Sequence, residues 1–306
     1  MRVTVLGSAA GGGFPQWNCN CRNCAGVRTG TVRAKPRTQS SIFVRPDNSA
    51  DGVLFNASPD VLEQIRSSAV LQPARQLRDT AIAAVLLMDG QIDHATGLFM
   101  LRERGSPLPL WCTAPVEEDL TQGNPILRVL SHYCGVACQR IPLDGASFEV
   151  AGVPGLRLRA LPLSSKAAPY SPHRDRPVPG DNIGISITDR TSGRSLFYAP
   201  GLGEVDPATF DAMASADAVM VDGTFWTDDE MPRLGVGTKR AREIGHLPQS
   251  GPGGMIEWLA RLPAHTRRML IHINNTNPIL DEDSPERAAL ARERIAVCED
   301  AMEFQL

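Results

Sequence analysis

The stretch that most constrains this chain is Leu87-Met88-Asp89-Gly90-Gln91-Ile92-Asp93-His94-Ala95-Thr96-Gly97. An uninterrupted apolar run, Ala81–Met88, precedes it and is short enough to be a strand buried on both faces. The run breaks at Asp89-Gly90 into a polar loop that ends in an adjacent carboxylate and imidazole. A second apolar stretch from Gly97 reads as a helix reaching about Arg104. In α/β folds the carboxyl end of a strand is where sites are built. Asp93 and His94 at such a turn suit a divalent metal, or are an N-cap beside a bystander histidine.

Upstream, Arg2–Leu6 alternates as a strand and runs into the glycine-rich Gly7–Pro15. That loop lacks the Gly-Lys-Ser/Thr ending of a phosphate loop and the spacing of a dinucleotide fingerprint, which leaves a tight turn. Cys19, Cys21 and Cys24 then form a C-x-C-x-x-C cluster. Three soft thiolates within reach of one ion suit a closed, structural zinc site, and a fourth ligand must come from elsewhere. Segments 37–44 and 52–57 read as strands, and Ser58-Pro59 as cap and first residue of a helix. A strand at 107–112 and a helix from Pro115 follow. Cys134 and Cys138 stand at helical spacing and read as packed small residues; His132 receives no role.

From Phe148 the period returns to two, through 156–161, 182–187 and 195–200, which marks a second sheet. Between these strands lies Ser164–Gly180, rich in Pro, Ser, Arg and Lys, a candidate lid or substrate loop that includes His173. Ala218–Trp226 repeats the first theme, a buried strand ending in Asp222-Gly223. Gly245-His246-Leu247 precedes a helix through 255–261. Arg268–Pro278 is a strand carrying His272 into a loop with Asn274, Asn275 and Asn277, and Ser284–Cys298 reads as a closing amphipathic helix.

Composition narrows the class. In a chain of 306 residues, 42% apolar and 21% charged with net charge −3, nothing points to nucleic acid or an anionic membrane. No apolar run reaches the roughly 18 residues of a span, and the start has no signal-peptide pattern. Seven cysteines, three of them clustered, favour metal over disulfides and a cytoplasmic location.

The loop Asp89-Gly90-Gln91-Ile92-Asp93-His94 resembles the His-x-His-x-Asp-His signature of the metallo-β-lactamase superfamily, with Asp89 and Gln91 at the first two histidines. The resemblance implies one α/β domain over residues 1–306, an αββα four-layer sandwich. It implies an active-site ion on Asp93, His94, Asp222 and His272, and loss of the half that holds a first ion, since no histidine ends the Leu161–Leu163 strand either. Relatives with the same cysteine cluster, the carbon–phosphorus lyase phosphodiesterase branch, use a histidine in the region of His246 as fourth ligand. Cys19, Cys21, Cys24 and His246 are therefore the expected structural zinc site.

Further stretches, Gly7–Cys21, Arg37–Ile42, Tyr198–Leu202 and His272–Pro278, resemble a branch that makes pyrroloquinoline quinone (PQQ) from a ribosomal precursor peptide. That implies one of two roles: a soluble carrier of PQQ or its precursor towards the periplasm, or iron-dependent hydroxylation of the tyrosine ring of a crosslinked Glu–Tyr intermediate by dioxygen. Two imidazoles with carboxylates and open positions resemble the ligand set of Fe(II) oxygenases, which favours the second. Asp89 is then a proton acceptor or extra ligand, Gln91 orients substrate or fills the vacated pocket, and Asn274 and Asn275 contact substrate. A mononuclear metallo-hydrolase is the remaining reading. The expected partners are a small, dipeptide-like PQQ precursor and other proteins of the pathway, with a homodimer open.

Overall fold

The apolar runs of the first half and the alternating runs of the second form two seven-stranded sheets in the computed structural model, which describes residues 1–306. The first half supplies β1 (Arg2–Gly7), β2 (Ser41–Arg45), β3 (Gly52–Phe55), β4 (Ile82–Leu86), β5 (Leu108–Cys112) and β6 (Val136–Arg140). The second supplies β7 (Ser147–Phe148), β8 (Leu156–Pro162), β9 (Ile183–Asp189), β10 (Ser195–Ala199), β11 (Ala218–Asp222), β12 (Arg267–Ile271) and β13 (Ile295–Val297); β14 (Glu303–Gln305) returns to the first sheet. The orders are β14-β1-β2-β3-β4-β5-β6 and β13-β12-β11-β10-β9-β8-β7. Within each, β3 to β6 and β10 to β13 run parallel, so the ends of β4, β11 and β12 deliver loops in the way parallel sheets do.

The facing sheets bury one apolar layer, with Val3, Ile42, Val53 and Leu86 meeting Leu158, Ile185, Leu196 and Met220. Phe55 and Tyr198 meet edge to face across it at 5.9 Å. The outer face of the first sheet packs Phe43, Leu54 and Val85 under helical residues Val61, Leu98 and Val116. That of the second packs Val219, Val221 and Leu270 under Met213, Met255 and Leu259. This is the four-layer αββα arrangement, and each fully buried aliphatic side chain contributes roughly 1.5–3 kcal/mol. No helix is long and apolar enough to cross a membrane.

The sheets also join through backbone at one end. Ile183 N donates to Met88 O at 3.0 Å, Ala10 N to Ile273 O at 2.9 Å and Ile273 N to Ser8 O at 2.9 Å. This seam brings the ends of β4 and β12 together.

Several local expectations change. The helix after His94 is one α-turn, Ile92–Ala95, continued as a 3₁₀ stretch Thr96–Leu101, and stops before Arg104. The helix after Phe55 starts at Val61, because Ser58 and Val61 close a turn first and the Asp60 carboxylate is drawn off to the Gln39 amide groups at 2.9 Å. Cys138 lies on β6 beside buried Cys112, so the spacing from Cys134 is not helical. The C-terminal helix covers only Pro285–Arg292, since Arg294 takes φ +56° and redirects the chain into β13.

Gly97 locks the site loop to β3's exit. Its N–H donates to Ala57 O at 2.8 Å, and Ala57 N donates to His94 O at 2.7 Å. A Cβ at Gly97 would lie 2.1 Å from Ser58 O, a backbone atom. Gly97→Ala is expected to destabilise the fold by about 2–3 kcal/mol in urea unfolding. An unchanged midpoint would show that the loop is not locked there.

Candidate metal centre

Beyond β4 the chain is pinned to the second sheet by an antiparallel bridge between Asp89 and Asn182. The buried Asp89 carboxylate accepts Gln91 N–H at 2.9 Å and His94 Nδ1 at 2.8 and 2.9 Å. With Nδ1 committed, His94 Nε2 is buried without a hydrogen-bond partner and lies 3.8 Å from Asp93 Oδ2. A carboxylate on the far side of the ring orients the other nitrogen and raises its basicity as a metal ligand.

His272 follows β12 with φ +60°, a left-handed conformation rare for a histidine and found at functional sites. Thr224 Oγ1 donates to Asp222 Oδ1 at 2.5 Å and accepts His272 Nδ1–H at 2.9 Å. That leaves His272 Nε2 turned to Asp93 Oδ2 at 3.1 Å. Asp93, His94 and His272 thus offer one carboxylate oxygen and two imidazole nitrogens within 4.8 Å of one another. A second set, Asp222, His246 and His272, shares His272. Asp222 is fully buried, and Leu202 N at 2.9 Å and His246 Nδ1 at 2.6 Å both donate to its Oδ2.

The charges fit a cation. Burial disfavours the charged forms, but Asp89 and Asp93 beside His94 overcome it and raise that imidazole to about 9. For Asp93 burial is likewise outweighed, by His94 and His272, which hold its carboxyl well below the usual range. His246 lowers Asp222 against burial in the same way, and Asp222 raises His246. The donor sets and the orphaned His94 Nε2 together fit a divalent ion.

The three cysteines do converge, with Cys24 fully buried and burial pushing the Cys21 thiol up to about 12. His246 is not among them: Asp222 captures its Nδ1, and His246 N–H donates to Ala241 O at 3.0 Å. The side-chain amide of Asn275 stands there instead, 3.0 Å from Cys19 Sγ, 3.4 Å from Cys24 Sγ and 3.7 Å from Cys21 Sγ. Amide oxygen and nitrogen exchange by a flip, so Asn275, and not His246, stands within reach as a fourth donor beside the three sulfurs. Asn275 is buried and does not line the cleft over the donors, whereas Asn274 does.

A cleft of about 300 Å³ opens over the donors, lined among others by Gln91, Asn182, Phe225, His246 and Asn274. Gln91 Nε2 donates to Lys166 O at 3.3 Å, so the Ser164–Gly180 stretch forms part of the wall. His173 is held by Glu118 at 3.2 Å. A larger cleft of about 660 Å³, near Leu71–Thr80, has none of the clustered donors.

Asp119 was invisible in the sequence. It lies in a π-helical stretch, Asp119–Gly123, with both carboxylate oxygens buried and without partners. A Cβ at Gly90 would come within 2.8 Å of its Oδ2, so a larger residue between Asp89 and Gln91 would have to displace the Asp119 carboxylate. Burial lifts the Asp119 carboxyl to about 6, with Asp181 and Asp89 adding to it.

Two facing sheets with carboxylates and imidazoles at their joined ends define a metal-site protein of the β-lactamase superfamily, whose "Beta-lactamase superfamily domain" model matches residues 52–273. Over 306 residues the chain is 66% identical to coenzyme PQQ synthesis protein B of Azoarcus sp., covering all of both chains. It is 64% identical to the protein of that name from Cupriavidus taiwanensis, over 99% of each. The crystal structure of Zn²⁺-bound PqqB from Methylobacterium extorquens superposes with a TM-score of 0.91 at 38% identity, covering 100% of both. A diphosphatase of the PhnP family shares the fold, with a TM-score of 0.68 at 16% identity over 100% of this chain and 97% of that one. The chain belongs to the coenzyme PQQ synthesis protein B family.

Asp89→Ala is expected to weaken divalent-metal binding about 10–100-fold in chelator competition, because His94 loses its orienting carboxylate. Undiminished affinity would mean that His94 is not held by Asp89. Asp119 gives a pH signature. Its raised native pKa means that between about pH 4 and 6 the folded chain keeps a proton that the unfolded chain has released, so this group lowers stability as pH rises. The stability of Asp119→Asn relative to the unsubstituted protein should therefore increase by about 2 kcal/mol from about pH 4 to 7.5 in urea melts. A pH-independent difference would show that Asp119 titrates normally.

Proposed function

We propose that the protein acts in PQQ biosynthesis as an iron-dependent hydroxylase of the tyrosine ring of a crosslinked Glu–Tyr intermediate. The observation that carries this reading is the Asp93–His94–His272 set, two imidazoles and one carboxylate, the ligand pattern of non-haem Fe(II) oxygenases. The positions where relatives in the superfamily carry two more histidines are used otherwise. Asp89 holds His94, and Gln91 bonds the Lys166 carbonyl. On this reading Asp89 is a positioning residue rather than the proton acceptor or extra ligand that the sequence left open, a role supported by the acceptance of His94 Nδ1 by both of its oxygens.

Fe(II) held by Asp93, His94 and His272, with Asp222 adjoining through His272, would supply the activation of dioxygen. The protein's own part is to orient and exclude. Thr224 and Asp89 fix the two ligand rings through their Nδ1 atoms. Phe225 and Met231 give the cleft an apolar wall suited to an aromatic ring, and Asn182 and Asn274 give neutral hydrogen-bonding groups. His246 is held by Asp222 through Nδ1 and lines the cleft, which suits it to exchange a proton with a phenol. The net reaction inserts one oxygen atom into a ring C–H bond and reduces the other to water, with two electrons from an external reductant.

The test is anaerobic loading with Fe(II), then air, ascorbate and a Glu–Tyr crosslinked phenol, following oxygen uptake and product mass. A gain of one oxygen atom, abolished in His94→Ala and His272→Ala, is the expected result. Binding without oxygen uptake or mass change would overturn the hydroxylase in favour of a soluble carrier.

A further inference from the structure

Glu230 opens the short helix Glu230–Leu234 and is wholly buried, yet it stands outside both sets of metal donors. Its two oxygens join the loops that follow β11 and β12. Oε2 accepts the Trp226 N–H at 2.6 Å, and Oε1 accepts the Thr276 hydroxyl at 2.5 Å. Burial raises this carboxyl to about 7 against those two donors, so at about pH 8.5 it is a carboxylate and can only accept. Thr276 has one hydroxyl hydrogen, and the carboxylate takes it. Towards Asn274 its Oγ1 is then an acceptor, filled by Asn274 Nδ2 at 2.6 Å. The other end of that amide, Oδ1, is left for the metal cleft, which Asn274 lines together with His272, Phe225 and Met231.

We infer that Glu230 is a positioning residue that, through Thr276, fixes the Asn274 amide with its carbonyl oxygen towards the cleft, making that wall of the metal site a hydrogen-bond acceptor. An asparagine amide left to itself presents either end, and one rotation interchanges acceptor and donor. A carboxylate two hydrogen bonds away removes that freedom, because each group along the relay has a single sense left to it. Glu230 and Thr276 are buried, so a reversed member would leave a donor facing a donor with no water to relieve it. Glu230→Gln reverses the relay without changing its shape. The glutamine must still accept the Trp226 N–H with its oxygen, so its amide nitrogen donates to Thr276 Oγ1. The Thr276 hydroxyl hydrogen then regains an acceptor when Asn274 turns its carbonyl oxygen inward, which shows NH2 to the cleft. The ligand side of this inference rests on the reading of the cleft as a phenol site; the sense of the amide does not.

The experiment uses the Zn²⁺-loaded protein at about pH 8.5, with isotope-labelled asparagine side chains for NMR and calorimetry for binding. In the unsubstituted protein the Asn274 NH2 should show nuclear Overhauser contacts to Thr276 and slow exchange with water. Glu230→Gln should lose both, as should Thr276→Val, whereas Thr276→Ser should keep them. The binding probes are the Glu–Tyr crosslinked phenol and its phenolic methyl ether, which lacks the donor hydrogen. Preference for the phenol over the ether should fall about five- to tenfold in Glu230→Gln and Thr276→Val and persist in Thr276→Ser, with bound zinc retained throughout. An Asn274 amide that keeps its contacts and slow exchange in Glu230→Gln would overturn the positioning role. A turned amide with the phenol preference intact would overturn the part given to the acceptor in the cleft. Should the amide turn while neither compound binds, the positioning role stands and the phenol reading falls. Should Glu230→Gln fail to fold, the two Thr276 variants decide by the same readouts.

Discussion

The structure depends on the backbone seam that joins the two sheets at one end. Ile183 N–H to Met88 O, Ala10 N–H to Ile273 O and Ile273 N–H to Ser8 O tie the exits of β4 and β12 to each other through main-chain atoms. Ligand residues far apart in sequence, Asp93 and His272, then meet at 3.1 Å. The buried layer between the sheets holds them face to face, yet a sandwich held by that layer alone has no reason to fix its rim to fractions of an ångström. Buried main-chain groups must find partners, and here they find them across the two halves.

Each ligand ring is in turn held from behind. Asp89 takes His94 Nδ1, Thr224 takes His272 Nδ1 and Asp222 takes both Thr224 and His246. Asp89, Asp222, Thr224, His94 and His272 are buried, so the hydrogen bonds among them act in a low dielectric. The same logic explains the substitutions in the metal motif. Asp89 offers no imidazole of its own, but its carboxylate orients the imidazole of His94.

Much of this was legible in the chain. The buried run before Asp89, the repeat of that theme before Asp222 and the return to period two after Phe148 gave the two sheets, because buried parallel strands and half-exposed antiparallel ones leave different patterns. What was illegible lies in loops and contacts. His246 lies in irregular chain between the 3₁₀ turn Arg242–Ile244 and the helix Met255–Ala260, so nothing local distinguishes a zinc ligand from a cleft residue; only the approach of Asp222 does. Asn275 reaches the cysteines because its neighbours are held, Asn274 and Thr276 by each other at 2.6 Å and Asn277 by the Gly223 carbonyl at 3.0 Å. Asp119 sits in a helix whose pattern is ordinary, and its burial depends on Gly90 and the Ser164–Gly180 stretch closing over it.

The most direct test of the account is anomalous scattering at the iron edge from crystals loaded anaerobically with Fe(II). The account predicts a single iron bonded to Asp93, His94 Nε2 and His272 Nε2, with the Cys19–Cys21–Cys24 cluster holding zinc and no iron. An iron bonded to His246 and Asp222 but not to His94 would contradict it.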